Sequence, residues 1–342
     1  MLHRLAVVYY SSSKLTGPWH RDGNILARPP PIDNPGRVSP WAPHVTRLGN
    51  DRYIAFYCVS SFGTPNSAIG VAVSTTGEPG SFQDYGALFG SSDETPYNAL
   101  DPSLAIGVDG EPYLSFGSYF EGIFLTKLDR GLIKTAEDAP PPLPKPSPDG
   151  GDDDVHIQKS EEDAEEETLS NTAVSSRSPT WTAPRNTTSI STLPRPPVLD
   201  LRTIQLATGY SWRNSVESSG LYYKSGWWYL FVSSGQCCGF DTTRLPEPNT
   251  REYKVLVGRS KSIEGPYTDR NGTSMLQGGG SILLSSFDRY YAPGGQSIFM
   301  DPQSQCEVMV FHYSDPKEAN AYARLGIYYV DWEGGWPIVK GK

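Results

Sequence analysis

The chain is poor in cysteine, in basic charge and in long apolar runs, and each shortage removes a class of protein. Four cysteines in 342 residues (Cys58, Cys237, Cys238, Cys306) are too few for a disulfide-built scaffold. Four allow three pairings, and two readings stand: buried thiols, or a strained bond between the adjacent Cys237 and Cys238. No stretch comes near the ~20 apolar residues of a membrane span. No helical period of useful length runs through the sequence either. Lys and Arg number 29 against 38 Asp and Glu, a formal net charge of −9. Between Thr135 and Val198 there are 12 acidic and 5 basic residues, so that segment alone carries −7 and the remainder −2. The remainder has no basic stripe, which argues against a nucleic-acid partner.

A leader-type start is missing as well. Met1-Leu2-His3-Arg4-Leu5-Ala6-Val7-Val8-Tyr9-Tyr10 has a short apolar run but no small-residue cleavage site. It reads as a strand rather than a signal peptide, so the chain is expected to begin inside a structural unit. Asn186 and Asn271 head N-x-Thr sequons, a weak pointer to secretion.

What the sequence does hold is aromatic and glycine: 20 Tyr, 8 Trp, 12 Phe and 34 Gly. That balance favours strands and tight turns. Strand-like runs recur at 52–57, 68–73, 112–119, 226–232, 254–258 and 307–312, several too continuously apolar for a one-sided sheet. There is an internal repeat: Leu15-Thr16-Gly17-Pro18-Trp19 returns as Ile263-Glu264-Gly265-Pro266-Tyr267, each after a Ser-rich strand end, with Gly80-Ser81-Phe82 a looser third copy. Units of about 50–60 residues built from four short strands are propeller blades. The expected fold is an all-β, five-bladed β-propeller in one domain. Its blades fall at about 1–30 (incomplete), 40–90, 98–134 resuming near 199, 214–270 and 280–340. An incomplete first blade leaves a sheet edge with unpaired backbone groups.

The stretch 135–198 interrupts the third blade. It combines Ala139-Pro140-Pro141-Pro142-Leu143-Pro144, Asp152-Asp153-Asp154 and Glu161-Glu162-Asp163-Ala164-Glu165-Glu166-Glu167. Few large apolar residues and dense like charge cannot repay the entropy of ordering, so it reads as a disordered acidic, Pro-rich insertion. A translated intron is the competing account.

Two carboxylates stand at strand entrances ahead of aromatics. Asp101 lies in Asn98-Ala99-Leu100-Asp101-Pro102-Ser103-Leu104, before Pro112-Tyr113-Leu114-Ser115-Phe116-Gly117-Ser118-Tyr119. Glu217 lies in Val216-Glu217, before Leu221-Tyr222-Tyr223. Taken alone, Asp before Pro is a common turn element. Paired carboxylates beside aromatics are also what glycoside hydrolysis requires: one acid protonates the leaving oxygen and another activates water.

These motifs, with Trp41-Ala42-Pro43-His44-Val45, Ser61-Phe62-Gly63, Ser234-Gly235-Gln236-Cys237-Cys238, Val257-Gly258-Arg259-Ser260 and Arg324-Leu325-Gly326-Ile327, resemble the endo-1,5-α-L-arabinanases of glycoside hydrolase family 43. The resemblance runs in order over almost everything outside 135–198. It implies a monomeric, secreted five-bladed propeller that cleaves internal bonds of arabinan in pectin side chains with inversion. Other readings of the same residues are a non-catalytic carbohydrate-binding propeller and an exo-acting arabinofuranosidase or xylosidase. By resemblance Glu217 is the general acid and Asp101 the residue that raises its pKa and orients it.

The family's catalytic base is an aspartate of the first blade. Asp22 and Asp33 do not occupy that position, and Asp301-Pro302 reads as a hairpin turn, so the base is expected to be absent from this chain and activity impaired. His312, in Val310-Phe311-His312-Tyr313, resembles a family histidine near the axis that binds a metal ion, often calcium, through water-mediated coordination; no organic cofactor is implied. Where this chain has His44, the family commonly has aspartate. Trp41, Phe62 and Tyr119 are candidates for stacking on sugar rings, and Asn98, Gly117 and Ser118 for lining the substrate cleft.

Overall fold

The computed structural model describes residues 7–49, 52–130, 202–209, 215–237, 240, 245–317 and 323–340. The expected insertion at 135–198 lies outside the described residues. All described residues belong to one compact unit.

Eighteen strands are described, and they pair antiparallel throughout. A two-stranded sheet comes first, β1 (Val8–Ser11) with β2 (His20–Asn24). Four four-stranded meanders follow. The first is β3 (Trp41–Arg47), β4 (Tyr53–Ser60), β5 (Ser67–Ser74) and β6 (Gln83–Ser91). The second is β7 (Ser103–Ile106), β8 (Pro112–Phe116), β9 (Ile123–Lys127) and β10 (Thr203–Ala207). The third is β11 (Val216–Lys224), β12 (Trp227–Ser234), β13 (Lys254–Ser260) and β14 (Ser281–Leu284). The last is β15 (Tyr291–Met300), β16 (Glu307–Ser314), β17 (Arg324–Glu333) and β18 (Trp336–Lys340). Helix among the described residues is confined to short 3-10 turns such as Pro35–Val38 and Met275–Gln277.

This is an all-β propeller. The sequence expectation of doubly buried strands is met in β4, β5, β8 and β12, which are buried along nearly their whole length. Side chains of a strand alternate between faces, so burial at every position requires a neighbouring sheet on each side. The core is accordingly divided into layers between adjoining sheets. Phe56, Ile69, Phe89, Leu114 and Phe116 fill the layer between the first two meanders, with Phe89 and Phe116 edge-to-face at 5.0 Å. Leu125, Leu206, Trp228 and Leu230 fill the next. Val7, Ile25, Ile32, Tyr57 and Phe82 seat the two-stranded sheet on the β3–β6 meander. The third meander ends later than its sequence pattern suggests, at Leu284 rather than near 270, because the 3-10 turn Met275–Gln277 precedes its outer strand.

The innermost strand of each meander begins with the same irregularity. Ala42, Asp101, Ser218 and Ala292 all have positive φ, at 41°, 53°, 53° and 52°. In β3, β11 and β15 the strand register shifts at that point, between Trp41 and His44, Glu217 and Gly220, and Tyr291 and Gly294. Such bulges re-aim side chains that regular alternation would send to opposite faces. The inner strands meet around an axial cavity of about 380 Å³ to which His44, Ser103, Leu104, Tyr222, Gln296 and Phe299 contribute.

Candidate active site

Asp101 and Glu217 come from neighbouring meanders and meet at the axis. The link is Ser218. Its backbone N–H and its hydroxyl both donate to Asp101 Oδ2, at 3.1 and 3.0 Å. Glu217, one residue earlier, accepts the Ser118 hydroxyl on Oε2 at 2.5 Å, and Ser118 and Glu217 form an isolated antiparallel bridge between the second and third meanders. Glu217 is 8% exposed.

Burial dominates the electrostatics. It lifts the Glu217 carboxyl to about 8, helped by the negative charge of Asp101 and opposed by the Ser118 hydrogen bond. Burial also lifts Asp101, to about 6, against the two donors of Ser218. A carboxylic acid that keeps its proton near neutrality, beside a more acidic carboxyl, is the pattern that separates acid and anion roles. The axial cavity lies farther along the inner strands than this pair, so the pair sits at its end and not among its lining residues.

Asn98, Gly117 and Ser118 build the frame around the two carboxylates. Asn98 is buried, with Oδ1 accepting the Ser67 hydroxyl at 2.7 Å and Nδ2 donating to the Ser118 carbonyl at 3.0 Å. Ser118 thus has its carbonyl on Asn98 and its hydroxyl on Glu217. Gly117 donates its N–H to the Leu100 carbonyl at 2.7 Å, next to Asp101. Its φ of +128° and the Gly122 carbonyl, 2.0 Å from where a Cβ would stand, leave room for glycine alone. These residues place the carboxylates. Asn98→Ala is therefore expected to lower unfolding free energy by about 1–3 kcal/mol in urea titrations, because the Ser67 hydroxyl and the Ser118 carbonyl lose their buried partner.

The aromatic candidates differ in exposure. Phe62 is 88% exposed and stands edge-to-face with half-buried Trp41 at 6.4 Å. Tyr119, also at positive φ, donates its hydroxyl to the Gly235 carbonyl at 3.4 Å, and its phenol is raised by burial and then by the Glu217 charge. Phe120 beside it is exposed.

Residues 5–146 and 199–337 match the profile of glycosyl hydrolases family 43. The chain belongs to that family. It is 35% identical over 312 residues to a probable arabinan endo-1,5-alpha-L-arabinosidase B of Aspergillus fumigatus, spanning 89% of this chain and 71% of that protein. It is 33% identical over 336 residues to a probable arabinan endo-1,5-alpha-L-arabinosidase A of Aspergillus flavus, spanning 97% and 83%. A Bacillus subtilis arabinanase structure superposes with a TM-score of 0.67 at 28% identity, covering 99% of this chain and 90% of that one.

His312, on β16, packs its ring 5.8 Å from Tyr253 and against Gly295, and burial holds its imidazole below the ordinary range. Among the described residues no group of three His, Cys, Asp or Glu gathers there or elsewhere. Calcium asks for six to eight oxygen ligands. An ion at His312 would therefore draw most of its ligands from water, with the imidazole orienting them. His44 faces the axial cavity, and burial lowers its imidazole to about 4, so it is neutral there. Cys237 is in a disulfide, while Cys58 and Cys306 are free; Cys238 lies outside the described residues.

Three residues of the carboxylate frame were not singled out by sequence reasoning: Ser218, Gln296 and Ser67. Serine and glutamine carry no distinctive spacing. Adjacency to Glu217 is the one signal that points to Ser218.

Proposed function

We propose that this chain hydrolyses internal α-1,5-L-arabinofuranosidic bonds of arabinan by an inverting mechanism. Glu217 protonates the leaving oxygen, and Asp101 keeps Glu217 protonated and in place. The observation that carries the reading is the buried carboxyl pair, with the more basic partner presented beside an exposed aromatic rim. The names of the fungal relatives support the substrate. Trp41, Phe62 and Tyr119 supply the surface on which sugar rings stack.

Among the described residues no third carboxylate is assigned to water activation, which makes that the weak step. Asp22 lies exposed on β2, and Asp33 precedes the 3-10 turn Pro35–Val38. Asp301 spends its carboxylate on the Ser304 hydroxyl and on the backbone N–H groups of Ser304 and Gln303. The fold reading has a finer part too. The turn after β1 (Gly17-Pro18) repeats the turn after β13 (Gly265-Pro266), with the same cis geometry and the same hydrogen bond three residues back. By that repeat β1 and β2 are the outer strands of a fifth blade whose inner strands are not among the described residues.

The test is incubation of purified protein with linear arabinan, with and without sodium azide. Slow release of arabino-oligosaccharides, accelerated by azide with formation of inverted glycosyl azides, is the expected result, since azide attacks the anomeric carbon without a base. Binding of oligosaccharides with no product under either condition would make the chain a sugar-binding propeller. Arabinose as the sole product from the outset would make it exo-acting.

A further inference from the structure

The peptide Glu217-Ser218-Ser219 is held from three meanders at once. In a regular strand Glu217 and Ser218 would face opposite sides of the sheet. The left-handed turn at Ser218, φ 53°, lets both address the same cleft. That conformation is unfavourable for a non-glycine residue and persists where its surroundings fix it. The fixing contact is visible. Gln296, on β15 of the last meander and 4% exposed, donates its amide to the Ser218 carbonyl at 2.7 Å. Gln296 is held in turn by the Ser233 hydroxyl on its Oε1 at 2.9 Å, and Ser233 accepts the Gly295 N–H at 2.9 Å. On the other side the Ser219 hydroxyl donates to that of Ser115 at 3.0 Å.

This clamp has an unequal effect on the two carboxyls. Asp101 receives two donors on one oxygen, both from Ser218, whereas Glu217 receives the single donor of Ser118. Hydrogen bonds to a carboxylate favour its ionised form. We propose that Ser218 is a positioning residue that decides which of the two carboxyls carries the proton, holding Asp101 as the anion so that Glu217 remains the acid, with Gln296 as the clamp that keeps Ser218 in its left-handed turn. The inference rests on the roles proposed above for Asp101 and Glu217. Among the described residues two further titratable groups face this pair. Cys58 on β4 lies against Asp101, its thiol raised by burial and by both carboxylates, and the Tyr119 phenol lies against Glu217.

Two variants separate the hydroxyl from the backbone turn. Ser218→Gly keeps the left-handed conformation and the N–H but removes the hydroxyl. Ser218→Ala removes the hydroxyl and keeps the Cβ, so the strain of the left-handed turn is that of the parent. Asp101 loses one of its two donors in either case, so its ionisation moves to higher pH. The charge that lifts Glu217 is then present less of the time, so Glu217 moves to lower pH. The pH profile of kcat on arabino-oligosaccharides, measured with azide, is expected to narrow by about one unit on the acidic side in both variants, with KM changed less than about twofold. Carboxyl resonances of ¹³C-labelled Asp and Glu give the same readout without substrate. Parallel narrowing in Gly and Ala variants supports the hydroxyl's role. A uniform loss of rate with unmoved limbs, or loss in Ala restored by Gly, overturns it. If the Asp101 resonance moves while no variant or parent cleaves arabinan, the assignment of Ser218 stands and the proposed reaction fails.

Discussion

Replacement of Glu217 by Gln is expected to lower kcat on linear arabinan, measured with azide present, about a thousandfold. Positioned proton transfer contributes ~10²–10⁴ in rate, and Gln keeps the shape and the Ser118 contact but has no proton to give. An arabino-oligosaccharide with an acidic phenol as leaving group needs little protonation, so its cleavage should fall far less. Equal losses on both substrates would remove Glu217 from the acid role. The same variant has an opposite effect on stability, with a sign fixed by the raised carboxyl. Below its ordinary value the group is protonated whether the chain is folded or not. As pH rises from there through about 8, the folded state holds a proton that the unfolded state has released, and stability falls. Glu217→Gln is free of that loss. Its melting temperature should match the parent near pH 4 and exceed it at pH 8.

Asp101→Asn is expected to cost about a hundredfold in kcat and to move the alkaline limb of the profile downward from about 8. Removing its charge removes the second cause of the raised Glu217 carboxyl, while burial, the larger cause, remains. The limb therefore shifts part of the way toward the ordinary value and no further. The ascending limb near 6, which belongs to Asp101 itself, should vanish. An alkaline limb that stays where it was would show that Asp101 does not act on Glu217 through charge.

Much of this was legible in the residue order. Aromatic and β-branched runs located the doubly buried strands, and the Gly-Pro-aromatic repeat exposed the meander unit. An acid ahead of an aromatic strand drew notice to Asp101 and Glu217, but it was the resemblance of the surrounding motifs that lifted Asp101 above an ordinary turn aspartate. The frame around them was not legible. Asn98 and Ser118 read as sugar contacts, and the hydrogen bonds that tie them to Ser67 and Glu217 across the fold carry no local signature. The left-handed turns at Ala42, Ser218 and Ala292 fall on residues that do not ordinarily announce positive φ, and Gln296 reaches Ser218 across 78 positions of sequence. Such contacts are products of closing the ring of sheets, and no local pattern encodes them.

The pairing of β9 with β10 carries a consequence of another kind. These neighbours in one sheet are separated in the chain by everything between Lys127 and Thr203. Loop closure grows only logarithmically with length, each doubling costing about 0.6 kcal/mol, so the ladder tolerates whatever span joins its two strands. It is therefore a natural seam for a split protein. A piece ending after β9 carries Asp101 and a piece beginning before β10 carries Glu217, so neither half alone holds the pair. Complementation of the two halves would report, through catalysis itself, the docking of one edge strand.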